Sequence, residues 1–179
     1  MSNEILADTL TGTVERITFR NEENGFAILK VTVKGRSEPV TVKGNVAVVQ
    51  PGERLEAVGQ WINDTTYGRQ FAASGITTTA PSSLEGIKRY LGSGLIDGIG
   101  PVYADRLVEK FGERVFDVIE HQSGKLQEVE GIGKKRRAEI KESWEKQKAV
   151  REIMVFLHAH GVSTARAVRI YKRYGDAAI

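Results

Sequence analysis

The sequence has no cysteine, which excludes disulfides and thiolate-bound zinc. That composition suits a reducing compartment, and a cytoplasmic location is expected. Histidines number only three, and His158 and His160 form a His-x-His pair. A metal site needs more ligands than one such pair, so surface or capping histidines are expected there. No apolar run is long enough to span a membrane, so no membrane partner is expected. The stretch from Met1 to Leu10 is acidic and polar, unlike a secretory signal. A phosphate-binding loop of the Gly-x-x-x-x-Gly-Lys-Ser/Thr type is also missing. Gly131-Ile132-Gly133-Lys134 lacks both its spacing and its hydroxyl, so this chain is not expected to hydrolyse ATP. Asp8, Glu15, Asp97 and Asp105 form no catalytic set. Neither a catalytic residue nor a bound cofactor is expected in this fragment.

The chain does have an ordinary apolar fraction, 40% of 179 residues, enough to bury one large or two small cores. Its charge is unevenly placed. Residues 1–80 carry eight Lys/Arg against nine Asp/Glu, and residues 81–133 carry six against nine. Residues 134–173 carry twelve against four, a local net charge of +8. Such a patch attracts polyanions, because displacing counterions from phosphates is favourable. The alternative is a solvated helix face with internal pairs such as Glu142–Lys146.

Two periodicities divide the chain. Up to about residue 79, five short runs are rich in Val, Ile, Thr and aromatics: Thr11–Phe19, Phe26–Val33, Val40–Gly44, Arg54–Ile62 and Arg69–Thr78. Asn24-Gly25, Lys34-Gly35, Pro51-Gly52 and Tyr67-Gly68 mark turns between them. Ala27, Leu29, Val31 and Val33 alternate onto one face, as do Leu55, Ala57, Gly59 and Trp61. Five strands without an intervening helix predict a small barrel, OB-like, with an SH3-like barrel as the alternative. Core positions are expected for Trp61, Phe71 and Tyr67, with base stacking as the other reading.

Helical periodicity begins at Pro81. Ser82-Ser83-Leu84-Glu85 predicts a capping box in which Glu85 reaches the Ser82 amide. Leu84, Ile87 and Leu91 are predicted to share a buried face. Pro101 is placed at a helix start, with Ala104, Leu107, Val108 and Phe111 as the buried stripe that follows. The expected organisation is α+β: a five-stranded barrel over 1–80, two tandem helical units over 81–146, and a third, altered unit over 147–179.

The helical half contains a repeat. Leu95-Ile96-Asp97-Gly98-Ile99-Gly100, Leu126-Gln127-Glu128-Val129-Glu130-Gly131-Ile132-Gly133 and Leu157-His158-Ala159-His160-Gly161-Val162-Ser163 align, with 33 and then 30 residues between their first glycines. Leu107, Ile140 and Ile170 fall at matching positions downstream, as do Phe111, Trp144 and Tyr174. The unit reads as a sharp Gly-apolar-Gly turn leading into a helix. Its free amides and the positive helix end suit phosphate and read no base. The candidate DNA-binding residues are therefore Gly98, Ile99, Gly100, Gly131, Ile132, Gly133, Lys134, Lys135, Arg136 and Arg137. In the third copy Ser163 replaces the second glycine, so packing or protein contact is expected of it.

The repeats resemble the helix-hairpin-helix motif of DNA-repair and recombination proteins. A narrower resemblance covers nearly the whole chain. Gly12-Thr13-Val14-Glu15-Arg16-Ile17-Thr18-Phe19, Asn21-Glu22-Glu23-Asn24-Gly25-Phe26 and Tyr67-Gly68-Arg69-Gln70-Phe71 are similar to the start of RecD-like DNA helicases that act without RecB and RecC. So are the first two hairpins, Met154-Val155-Phe156-Leu157 and His160-Gly161-Val162-Ser163. The resemblance implies a DNA-binding extension followed, in the parent, by a 5′→3′ motor that uses ATP and magnesium. It also implies another helix after Gly175, so a truncated piece is expected.

Three readings are carried forward. The first is an accessory region that grips DNA, single-stranded or at junctions, without sequence preference. The second is a junction-binding protein similar to RuvA, against which the third unit and the Asn-Glu-Glu-Asn-Gly-Phe loop argue. The third is a protein-interaction module whose partner is the motor or a single-strand-binding protein.

Overall fold

The computed structural model describes residues 6–175. The helix expected after Gly175 lies outside them, as do the side chains of Met154, Val155 and His158.

The five apolar runs form five strands: β1 (Asp8–Arg20), β2 (Phe26–Thr32), β3 (Val40–Asn45), β4 (Arg54–Asp64) and β5 (Gly68–Thr79). They close into a barrel in the order β1-β2-β3-β5-β4. Two register shifts in β1, between Val14 and Arg16 and between Ile17 and Phe19, accompany its pairing with two neighbours. Its first half pairs with β4 and its second half with β2. A parallel contact of Val42 with Phe71 and Lys43 with Ala72 closes the ring. Among the described residues this closure leaves no open sheet edge. This is the expected OB-like barrel. Ala27, Leu29, Val31, Leu55, Ala57 and Phe71 are fully buried inside it.

Helices follow: α1 (Leu84–Leu91), α2 (Pro101–Phe111), α3 (Val115–His121), α4 (Lys134–Ala159) and α5 (Thr164–Tyr174). Short 3-10 turns at Gly112–Arg114 and Ser123–Glu128 connect three of them. Ile87, Leu91, Ile96, Leu107, Ile119, Leu126 and Ile140 build one helical core. A smaller cluster of Ile153, Leu157 and Ala167 packs with Ala47 and Val48 of the β3–β4 connection.

The start of α1 differs from the expected capping box. Ser83, one residue later than predicted, is the N-cap and accepts from the Gly86 amide at 3.0 Å. Glu85 instead approaches Arg89 at 4.0 Å, and Leu84 is 47% exposed rather than buried. The reason lies in the barrel. Gly52, at φ +89, sits backbone to backbone on Gly86, where a Cβ would meet Gly86 O at 2.1 Å. That contact fixes the helix rotation, so Gly86, Ile87, Tyr90 and Leu91 face inward.

Candidate nucleic-acid interface

The first two hairpins match bond for bond. Gly98 and Gly131 both have φ +88, a left-handed value that strains any residue with a side chain. The Ile99 amide donates to Ile96 O at 3.2 Å, and the Ile132 amide donates to Val129 O at 3.1 Å. Ala104 then donates to Gly100 O at 2.9 Å, and Arg137 to Gly133 O at 3.0 Å. Ile99 and Ile132 are each buried to 4% exposure and anchor the turns as expected. Leu107 and Ile140 are both fully buried at equivalent places.

The repeats also hold each other. Tyr103 and Arg136 stand at equivalent positions on α2 and α4, and each packs on the other repeat's turn. Arg136 Nη1 donates to Gly98 O at 3.0 Å, and its guanidinium lies 4.3 Å from the Tyr103 ring. Tyr103 in turn covers Gly131, where a Cβ would lie 2.7 Å from the phenol oxygen. Arg106 Nη1 donates to Glu130 O at 3.0 Å and sits 5.4 Å from the same ring. The first turn has no cation at the start of its own helix, and Arg136 supplies one from the other repeat. Ser143 joins the units again by accepting from the Asp97 amide at 3.0 Å.

The second glycines have a different environment. Gly100 is extended, with φ −103 and ψ −174. Gly133 is not among the positive-φ glycines. A Cβ at either position would meet nothing within 4 Å. Lys134 and Lys135 follow Gly133 and are exposed, while Arg136 and Arg137 are half-buried. The first amides of α4 have no helical partner, and the helix dipole adds positive potential there.

The third turn keeps a left-handed glycine, Gly161 at φ +79, but closes differently. Val162 donates to Leu157 O at 3.1 Å, and His160 Nδ1 lies 2.9 Å from Phe156 O. This is a Schellman-type helix cap running straight out of α4. His160 is thus a capping histidine.

Three contacts stabilise the base of α4. Glu120 on α3 receives the Trp144 indole N–H and the Lys148 ammonium. These two donors, Lys148 first, hold its carboxyl below the ordinary carboxylate value, and Glu120 raises the Lys148 ammonium in return. Lys141 Nζ donates to Glu120 O at 2.6 Å. Lys146 pairs with Glu142 at 3.3 Å, so part of the basic segment is the internally neutralised face anticipated above.

The barrel aromatics have separate fates. Phe71 is fully buried, so no base can stack on it. Trp61 is half-buried, edge-on to Phe71, with Arg36 at 4.7 Å and Arg69 at 4.6 Å from its ring. Tyr67, expected in the core, is 76% exposed, because it sits in the β4–β5 turn.

Comparison with known proteins agrees with this architecture. A family described as the OB-fold domain of the ATP-dependent DNA helicase YrrC matches residues 7–81. A SAM-like helix-hairpin-helix tandem matches 91–146, and the HHH domain of the ATP-dependent RecD2 DNA helicase matches 146–179. The ATP-dependent RecD2 DNA helicase of Deinococcus radiodurans is 27% identical over 176 residues. That match covers 95% of this chain and 24% of the relative, so the chain spans about a quarter of that protein's length.

Proposed function

We propose that this chain, which resembles the N-terminal region of RecD-like ATP-dependent DNA helicases, is a DNA-binding accessory region of such an enzyme. In this reading it grips phosphates without reading sequence. The parent's motor, with ATP and magnesium, supplies 5′→3′ unwinding in repair or recombination.

The observation that carries the reading is the pair of second glycines. Gly98 and Gly131 are explained inside the protein, by their φ and by the packing of Arg136 and Tyr103. Gly100 and Gly133 are demanded by neither backbone nor packing. What their missing side chains leave free is space at the surface, beside the first helix amides, which lack helical partners, and, in the second turn, beside Lys134 and Lys135. A phosphate brought that close accepts from the amides and is neutralised by the lysines. Gly98, Ile99, Gly100, Gly131, Ile132 and Gly133 shape the two turns. Lys134 and Lys135 supply direct charge in this proposal, with Arg137 beside them. Arg136 keeps the turns in register.

Salt-titrated anisotropy with labelled single-stranded and duplex DNA tests this. Changing Lys134 and Lys135 to Ala should lower the slope of log affinity against log salt by about two. Gly133→Val should weaken binding without lowering the melting temperature. Unchanged affinity in both variants would remove the turns from the DNA interface.

A further inference from the structure

The four cations of α5 are not used by the turns. Arg166, Arg169, Lys172 and Arg173 are all exposed. At about 100° per residue they fall within an arc of about 120°. The opposite side is apolar. Ala167 is fully buried, and Ile170 and Tyr171 pack against the cluster it forms with Ile153 and Leu157 of α4. The helix sequence Thr164–Tyr174 contains no acidic residue. None of the four cations makes an ion pair among the described residues; the pairs formed there lie elsewhere. Arg173 only leans over Tyr174, at 5.5 Å. This contrasts with α4, where Lys141, Lys146 and Lys148 are each paired with a glutamate.

We propose that this face of α5 is a second phosphodiester-binding surface, through which the third unit holds DNA by its helix flank rather than by its turn. The assignment rests on the DNA-binding reading above. Two observations support it. The third turn is poorly suited to a phosphate, because Ser163 stands where the other turns have an open glycine. The apolar side of α5 is already occupied by α4, so the cationic side is the one left for a partner. Four cations on one face with no ion pair among the described residues repel one another, and a polyanion relieves that repulsion. A DNA backbone suits such a surface because its charges recur along the length of a helix face. The hairpin of the third unit then serves to orient α5 against α4.

The test uses the full chain in three forms: unchanged, Arg166→Gln/Arg169→Gln/Lys172→Gln/Arg173→Gln, and Arg166→Lys/Arg169→Lys/Arg173→Lys. All are first compared by circular dichroism and thermal melting. Binding to labelled single-stranded and duplex DNA is then measured across salt. The glutamine form should bind roughly tenfold or more weakly at low salt, with a shallower salt slope. The lysine form should keep both affinity and slope. Equal binding by the glutamine and unchanged forms would overturn the assignment. So would equally tight binding of poly-glutamate of matched charge, which would assign the face to acidic protein. If the Lys134 and Lys135 variants are silent while the glutamine form is weakened, the turn reading fails and the α5 assignment stands. An unchanged chain that binds no DNA overturns both.

Discussion

Tyr103 and Arg136 carry a role that their residue types do not announce. Arg136 lies in a run of four cations, and the sequence alone assigns it the phosphate-binding role of its neighbours. In the structure its fork is committed to Gly98 O and its plane to the Tyr103 ring. A guanidinium satisfies both contacts at once and an ammonium does not. Arg136→Ala should therefore destabilise the helical region by about 1.5–3 kcal/mol, the value of a hydrogen bond to a charged group. Arg136→Lys should rescue little of that loss, although it keeps the charge. Denaturant melts of the two variants check this, and full rescue by lysine would return Arg136 to a purely electrostatic role. A signal was present in the sequence: the 33-residue offset that aligns Gly98 with Gly131 also aligns Tyr103 with Arg136. Their reciprocal contact could not be read there, because side chains of unlike chemistry give no visible repeat.

Among the elements, α4 links the second and third units. It runs 26 residues, about 39 Å, and is unbroken across residues 146 and 147. Glu120 ties α3 to it through Trp144 and Lys148. The depressed carboxyl of Glu120 stabilises the fold at neutral pH and loses that contribution as the pH falls through and below the carboxylate range. The raised Lys148 works in the opposite sense, and its contribution is lost only as the pH rises through the lysine range. Glu120→Gln should thus lower the melting temperature slightly at neutral pH and flatten its decline on acidification. Melting curves over that range check this, and an unaltered pH dependence would show the contact to be inert. All five strands were legible in the sequence to within three residues at each end, because alternation and turn glycines are local signals. The rotation of α1 was not, because the contact of Gly52 with Gly86 sets it from outside the helix.

In the whole molecule, barrel and helices have separate cores. Val14, Leu29, Leu55 and Phe71 belong to one, and Leu91, Leu107, Ile119 and Ile140 to the other. The backbone contact at Gly52, the bond of 3.3 Å from Arg89 Nη1 to Glu15 O and the third unit's packing on Ala47 and Val48 join the two halves. Calorimetric unfolding should therefore depart from two-state behaviour, with a calorimetric enthalpy above the van't Hoff value. Equality of the two would show that this thin junction couples the halves fully. The sequence by itself determined the β-then-α division, the five strands, the repeat and the concentration of charge after residue 133, because each is written in short-range periodicity or composition. Only the tertiary structure decided which cations are engaged by groups distant in the chain. It paired Lys148 with Glu120 of α3, turned Arg136 inward onto the opposite turn, and left Lys134, Lys135 and the flank of α5 facing outward, whereas the pairs of Lys141 with Glu145 and Lys146 with Glu142 follow from spacing within α4. The physical reason is that charge is a property of a residue, whereas its availability depends on neighbours that folding brings from elsewhere in the chain.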